Sequence, residues 1–163
     1  MINQKMQDAI NNQIQAELYS AYLYLSMSAY CDNKNLRGFA HWMKLQYQEE
    51  TSHAMKLIDY LQERGGVVQL KAIEAPPTEF GTPLQVFEQT LAHEEHVTSL
   101  INKLYETALN EKDYAAQIFL QWFINEQVEE EASATAIVER LKIIGDKSTG
   151  AILYLDKELG KRA

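Results

Sequence analysis

Apolar residues recur along most of this chain at alternating steps of three and four, the spacing that draws one stripe down the side of a helix. Four long stretches carry the pattern and predict helices over about residues 4–31, 36–64, 83–110 and 114–144, with a short fifth over about 149–159 beyond Gly145. Asp32-Asn33-Lys34-Asn35 separates the first two and Asn110-Glu111-Lys112-Asp113 the third and fourth. Turns this short join antiparallel neighbours. The stretch 65–82 is different: Gly65-Gly66, Pro76-Pro77 and Gly81, followed by Pro83, gather most of the chain's helix breakers. Extended at about 3.3 Å per residue it reaches about 60 Å, while a helix over 36–64 rises about 43 Å. The third helix can therefore start back at the head of the second and run parallel to it. The expected fold is an all-α, single-domain four-helix bundle over residues 1–163, with one long crossover and a short fifth helix. The apolar residues of that fifth helix, Ile152, Leu153, Leu155 and Leu159, have no evident place in a four-helix core, so an oligomer interface is expected to take them.

Each stripe is apolar or small except near its middle, and there the exception is a carboxylate. Glu17 falls between Ile14 and Ala21, Glu50 between Tyr47 and Ala54, Glu94 between Leu91 and Thr98, and Glu130 between Gln127 and Ala134. Two residues of an antiparallel hairpin lie level when their midpoint falls in the connecting turn. Glu17 and Glu50 meet that condition for the first turn, as do Glu94 and Glu130 for the second. Four acids then converge in the bundle core if the hairpins dock at matching height. A lone Glu on a stripe is usually a solvated edge residue, but four converging ionised carboxylates need protons or a cation. His53, one turn after Glu50 on the same face, completes a Glu50-x-x-His53 unit that presents oxygen and nitrogen to one metal. Oxygen-rich sites with one imidazole suit iron, manganese or zinc. Glu50 and Glu130 are placed to bridge two such ions.

Weaker features surround this set. Glu49, Glu126 and Glu129 flank it and could hold a further cation, although acidic runs of this kind are usually solvated faces. Tyr24 lies seven residues after Glu17 on the same face, where a phenol can hydrogen-bond a ligand or supply an electron. His41, His93 and His96 lie off the stripes and are expected on the surface. Trp42, Trp122 and the methionines read as core or interface.

Composition narrows the partners. With 15 Lys+Arg against 23 Asp+Glu the formal charge is -8, so no basic footprint supports nucleic-acid binding, anionic membranes repel the chain, and cations are its natural partners. Cys31 is the only cysteine, which rules out an intrachain disulfide and fits a reducing compartment. Residues 1–17 lack the basic-then-apolar pattern of a secretory signal, and no window resembles a membrane span. A cytoplasmic location is the expectation.

Glu17, Glu50-x-x-His53, Glu94 and Gln127-x-x-Glu130, with Tyr24 and Trp122, together resemble the ferritins, especially the non-haem bacterial type, over nearly the whole chain. The resemblance implies a ferritin-like bundle in which Glu17, Glu50 and His53 bind one iron and Glu50, Glu94 and Glu130 a second, with Gln127 alongside. It implies a third iron at Glu49, Glu126, Glu129 and Glu130. It further implies a shell of 24 subunits that takes up Fe(II), oxidises it with oxygen or hydrogen peroxide and stores ferric oxide. Haem-binding bacterioferritins carry Glu-x-x-His in the fourth helix and a Met just before the second-helix His, where this chain has Gln127-x-x-Glu130 and Ser52; no haem is expected. The acids of animal ferritin three-fold channels correspond here to Gln117 and Leu120, so the resemblance supplies no iron path. The competing readings are another di-iron enzyme of the rubrerythrin type, which ordinarily adds a cysteine-rich domain or a second His-bearing motif, and a metal-free helical bundle.

Overall fold

The computed structural model describes all 163 residues. Its helices are α1 (Gln4–Asn33), α2 (Arg37–Glu63), α3 (Pro83–Asn110), α4 (Tyr114–Ile144) and α5 (Thr149–Leu159). α1 runs two residues beyond the end that periodicity suggests, and α2 is one residue shorter at each end. Both differences fall in turns, where the closing residue and not the stripe decides the boundary. Asn35 (φ 59°) and Lys112 (φ 54°) take the left-handed conformation that ends α1 and α3 and reverses the chain.

Local capping fixes the other ends. The Asn3 side chain accepts from Met6 N at 2.9 Å to start α1. Thr82 and Gln85 form a reciprocal capping box with Pro83 in the first turn of α3, satisfying donors that a helix start leaves orphaned. Asp113 caps α4 through Ala116 N at 3.0 Å and also receives the Arg64 guanidinium at 3.1 Å on each oxygen, which ties the end of α2 to the start of α4. α2 has no side-chain cap of its own at Leu36. Asp156 of α5 supplies it instead, accepting from Gly38 N at 2.8 Å and Phe39 N at 3.0 Å.

The crossover travels along α1 in register with it. Asn11 Nδ2 donates to Val67 O at 2.9 Å, Gln15 Nε2 to Ala72 O at 2.5 Å, Ser26 Oγ to Pro77 O at 2.6 Å and the Tyr30 hydroxyl to Gly81 O at 2.7 Å. Polar side chains on the outer face of α1 thus satisfy a backbone that has no ladder of its own. Because the crossover returns to the level of Tyr30, α3 begins beside the end of α1 and runs antiparallel to it, hence parallel to α2. No helix is long and apolar enough to cross a membrane.

A polar layer divides the core in two. On one side a cluster of 17 buried residues is built on Tyr24, Met27, Phe39, Met43 and Phe87; on the other, 12 buried residues pack around Ile10, Ile14, Leu57, Ile101 and Phe123. α5 closes the first cluster. Leu155 and Leu159 are buried there and Ile152 packs against it, so the expectation that all four apolar residues of α5 lie outside the core fails for these three. Only Leu153 faces outward, 54 % exposed, beside Tyr154 at 67 %.

Candidate metal centre

Glu17, Glu50, Glu94 and Glu130 all lie in the layer between the two clusters, none more than 6 % exposed, together with His53 at 3 % and Gln127 at 3 %. Each of the four long helices delivers one carboxylate because each stripe puts its acid at the same height. Glu17, Glu50 and His53 offer ligand atoms within 4.8 Å of one another, and His53, Glu126 and Glu130 do the same. His53 stands between the two groups: Nδ1 lies 3.3 Å from Glu50 Oε2 and 4.0 Å from Glu17 Oε2, while Nε2 lies 3.7 Å from Glu126 Oε1. A neutral imidazole has one lone pair to give a metal, and the other nitrogen keeps its proton. Trp122 meets the ring edge to face at 5.3 Å.

Buried amides orient the acids. Gln13 Nε2 donates to Glu17 Oε1 at 2.8 Å and Gln46 Nε2 to Glu130 Oε2 at 2.5 Å. Gln127 Nε2 donates to Glu94 Oε2 at 3.2 Å and to Thr98 Oγ1 at 3.3 Å, and the Tyr24 hydroxyl donates to Glu94 Oε1. Both oxygens of Glu94 are therefore engaged, and Glu94 stands outside the two groups described above. Sequence reasoning passed over Gln13 and Gln46. Gln13 sits four residues before the acid it bonds, on the same face, and that spacing was the available signal; Gln46 bonds an acid of another helix, which no local spacing announces.

Three oxygens have no donor at all: Glu17 Oε2 and both oxygens of Glu50. A proton shared between Glu17 and Glu50 is the relief that the protein itself can offer. Burial first, and then Glu50 beside it, raises Glu17 well above the usual carboxylate range; burial and then Glu94 do the same to Glu50. Glu94 is raised by burial. Burial, followed by Glu94, pushes Glu130 up to about 8, and the Tyr24 phenol is raised by burial and Glu94. Four acids held above their ordinary range by desolvation and mutual repulsion form a site that a divalent cation would relieve.

The flanking acids behave differently. Glu126 reaches toward His53, Glu49 is half-buried with Oε2 bound by the Arg162 guanidinium at 2.6 Å, and Glu129 is exposed. His96 is exposed, but His93 is not the surface residue expected of it. The Ser20 hydroxyl donates to Ala16 O at 3.0 Å and so accepts from His93 Nε2 at 2.8 Å; burial lowers His93 to about 4. His41 is half-buried and bonded to Arg162 O at 2.8 Å. Leu120 is fully buried in the core, so it lines no channel. Trp42 is buried, whereas Trp122 is 37 % exposed.

A four-helix bundle with a long parallel crossover and a core acid on each helix defines the class of ferritin-like carboxylate metal proteins. The sequence model of the ferritin-like domain matches residues 7–144, and the chain belongs to the ferritin family of iron-storage proteins. The bacterial non-heme ferritin of Bacteroides fragilis is 49% identical over 162 residues, spanning 99% of this chain and 100% of the relative. That of Staphylococcus saprophyticus is 42% identical over 163 residues, spanning 100% of this chain and 97% of the relative. Among solved structures, an open-pore ferritin from the hyperthermophilic archaeon Archaeoglobus fulgidus superposes with a TM-score of 0.98 at 54% identity, covering both chains completely. An engineered closed form of that ferritin also gives 0.98 at 54% identity, over 100% of this chain and 99% of the other.

Proposed function

We propose that this chain stores iron by oxidising Fe(II) at a two-ion centre in its core and retaining the ferric product inside a shell of identical subunits, 24 by family resemblance. Glu17, Glu50 and the Nδ1 of His53 hold the first ion. Glu50, Glu94 and Glu130 hold the second, with Gln127 steadying Glu94 and Tyr24 supplying its hydrogen bond. Glu49, Glu126 and Glu129, with Glu130, take a third. The observation that carries this reading is the trio of donor-free oxygens on Glu17 and Glu50, buried beside the His53 nitrogen. Iron is the substrate, and no haem takes part.

Two Fe(II) ions give up one electron each. With two protons those electrons reduce oxygen to hydrogen peroxide, or peroxide to two waters. The protein's part is to hold both ions in one orientation and to exclude bulk water from the layer between two apolar clusters. Carboxylates that arrive protonated release their protons as ions bind, so proton acceptors for uptake and donors for reduction lie at the same centre. A metal-free bundle would leave the orphaned oxygens as an uncompensated cost, and a rubrerythrin-type site would call for a second imidazole, whereas His41, His93 and His96 all have other partners or face solvent.

Anaerobic titration of the apoprotein with Fe(II), followed by air, tests the reading. Two ions per subunit are expected to bind tightly and to give a fast ferric absorbance on exposure to oxygen. Binding without any rapid ferric signal at two ions per subunit would refute the oxidase, and failure to bind would refute the centre itself.

A further inference from the structure

Beyond α5 the chain folds back onto α2, and Arg162 makes the attachment. Its guanidinium lies 4.5 Å from the centre of the Trp42 ring and donates to Trp42 O at 3.3 Å, Gln46 Oε1 at 3.0 Å and Glu49 Oε2 at 2.6 Å. Its own carbonyl is bonded to His41 Nε2 at 2.8 Å.

Two consequences follow from donor chemistry and charge. A guanidinium has donors only, so Gln46 must turn its Oε1 toward Arg162 and its Nε2 toward Glu130, where it donates at 2.5 Å. The orientation of a fully buried amide beside the centre is thereby set from the surface. Glu49 is also one of the acids read above as ligands of a third ion, and a tethered cation already holds it. A divalent ion there and the guanidinium would compete for the same oxygens and repel each other across a few ångströms.

We propose that Arg162 is a built-in competitor at the third-ion position: it holds Glu49 until a divalent ion displaces it, and its departure frees Gln46 and so loosens the hydrogen bond on Glu130. This rests on the reading of Glu49, Glu126, Glu129 and Glu130 as a third-ion set. Arrival of the third ion thereby changes how Glu130 is held at the second. Arg162 is a positioning residue, since it touches neither of the two central ions.

Zn(II), which does not change oxidation state, serves as the probe in calorimetric titrations of the apo shell. A Trp122→Phe background leaves Trp42 as the one remaining tryptophan of the chain's two, and its emission reports whether the guanidinium still covers it. In the parent, Trp42 emission is expected to change with the third equivalent and not the first two. Arg162→Ala is expected to tighten the third equivalent by about tenfold through loss of the competing charge, to leave the first unchanged, to alter the second, whose ligand Glu130 loses its fixed amide donor, and to abolish the emission change; Arg162→Lys, which keeps a charge without the fork, falls between. Arg162→Gln repeats the test with a side chain of similar length. A third equivalent bound equally tightly in the parent, Arg162→Ala and Arg162→Gln overturns the proposal, as does Trp42 emission that follows the first equivalent. If Glu49→Gln and Glu129→Gln each bind three ions as tightly as the parent, the third-ion set itself is wrong and the proposal falls with it, a result distinct from an arginine without effect.

Discussion

Glu50 places two buried oxygens in the core with no donor to either. It alone shares a helix face with His53 and lies level with Glu17, so it is the acid placed to touch both ions. Glu50→Ala is expected to slow the initial oxidation of two Fe(II) per subunit by about a hundredfold or more, because the reaction depends on holding both ions in one orientation. The variant should still fold, since removing an uncompensated buried acid relieves repulsion in the apoprotein. Glu129→Ala, which alters an exposed residue, should leave that first turnover intact. Stopped-flow absorbance decides: equal initial rates for Glu50→Ala and the parent would refute the bridging role. The same acids set the pH response of the apoprotein. Glu130, raised to about 8, keeps in the folded state a proton that the unfolded chain gives up near the ordinary value of 4.5. Its contribution is complete below that ordinary value and is lost as pH rises toward 8; Glu17, Glu50 and Glu94 are shifted in the same direction. The Glu130 shift alone corresponds to a few kcal/mol on the linkage relation. The apoprotein should therefore melt at lower temperature at pH 8 than at pH 5, Glu130→Gln should flatten the slope, and divalent ions should restore the loss while releasing protons. A melting temperature that rises from pH 5 to 8 would contradict the crowded-carboxylate picture, as would calorimetry near pH 6 showing no buffer-dependent heat of ion binding.

At the level of elements, the join between α5 and α2 rests on a cap that one helix supplies to another. Asp156 satisfies the two backbone donors that Leu36 leaves open at the start of α2. Gly38 permits the approach, for a Cβ there would stand 1.6 Å from Asp156 O. Gly145, at φ 68°, ends α4 and lets the chain turn into α5. Asp156→Ala should cost about 1 kcal/mol, the usual worth of such a cap. Gly38→Ala should be the more damaging change, since backbone must move to admit one methyl group. Trypsin cleavage at Lys147, in the turn before α5, reports both: it should quicken modestly in Asp156→Ala and strongly in Gly38→Ala. Unchanged cleavage in Gly38→Ala would show that α5 does not depend on this contact.

On the scale of the whole molecule, the subunit leaves large apolar side chains outside. Ile118 is 72 % exposed, Val128 67 %, Ile143 86 % and Tyr154 67 %. Singly such residues are unremarked on any surface, but Ile143 and Tyr154 line one recess between α4 and α5 with Ile144 and Leu155, a patch suited to burial between subunits. The expected species in solution is a large closed shell. Light scattering or sedimentation giving the mass of a monomer or dimer at micromolar concentration would sink that expectation, and Ile143→Glu with Tyr154→Glu should shift the parent shell toward smaller species.

The stripes by themselves determine that there are five helices, where they turn and which residue on each long helix is the misplaced acid, because a period of 3.6 leaves no second place to put Glu17, Glu50, Glu94 and Glu130 once the apolar face is buried. The helix boundaries differ by at most two residues from those periodicity suggests, the differences lying in turns. Gln13 was legible in principle, one turn before the acid it bonds, whereas Gln46 bonds an acid of another helix, and an amide beside a stripe has no meaning until its partner is known. Three matters belong to tertiary structure alone. Leu155 and Leu159 fill the end of the core because that end is open, which the pattern within α5 cannot say. His93 is half-buried rather than solvent-facing because the Ser20 hydroxyl of another helix receives it. Asp156 and Arg162 act on α2 from more than a hundred positions away, and no local spacing encodes a contact that exists only when the chain has folded back upon itself.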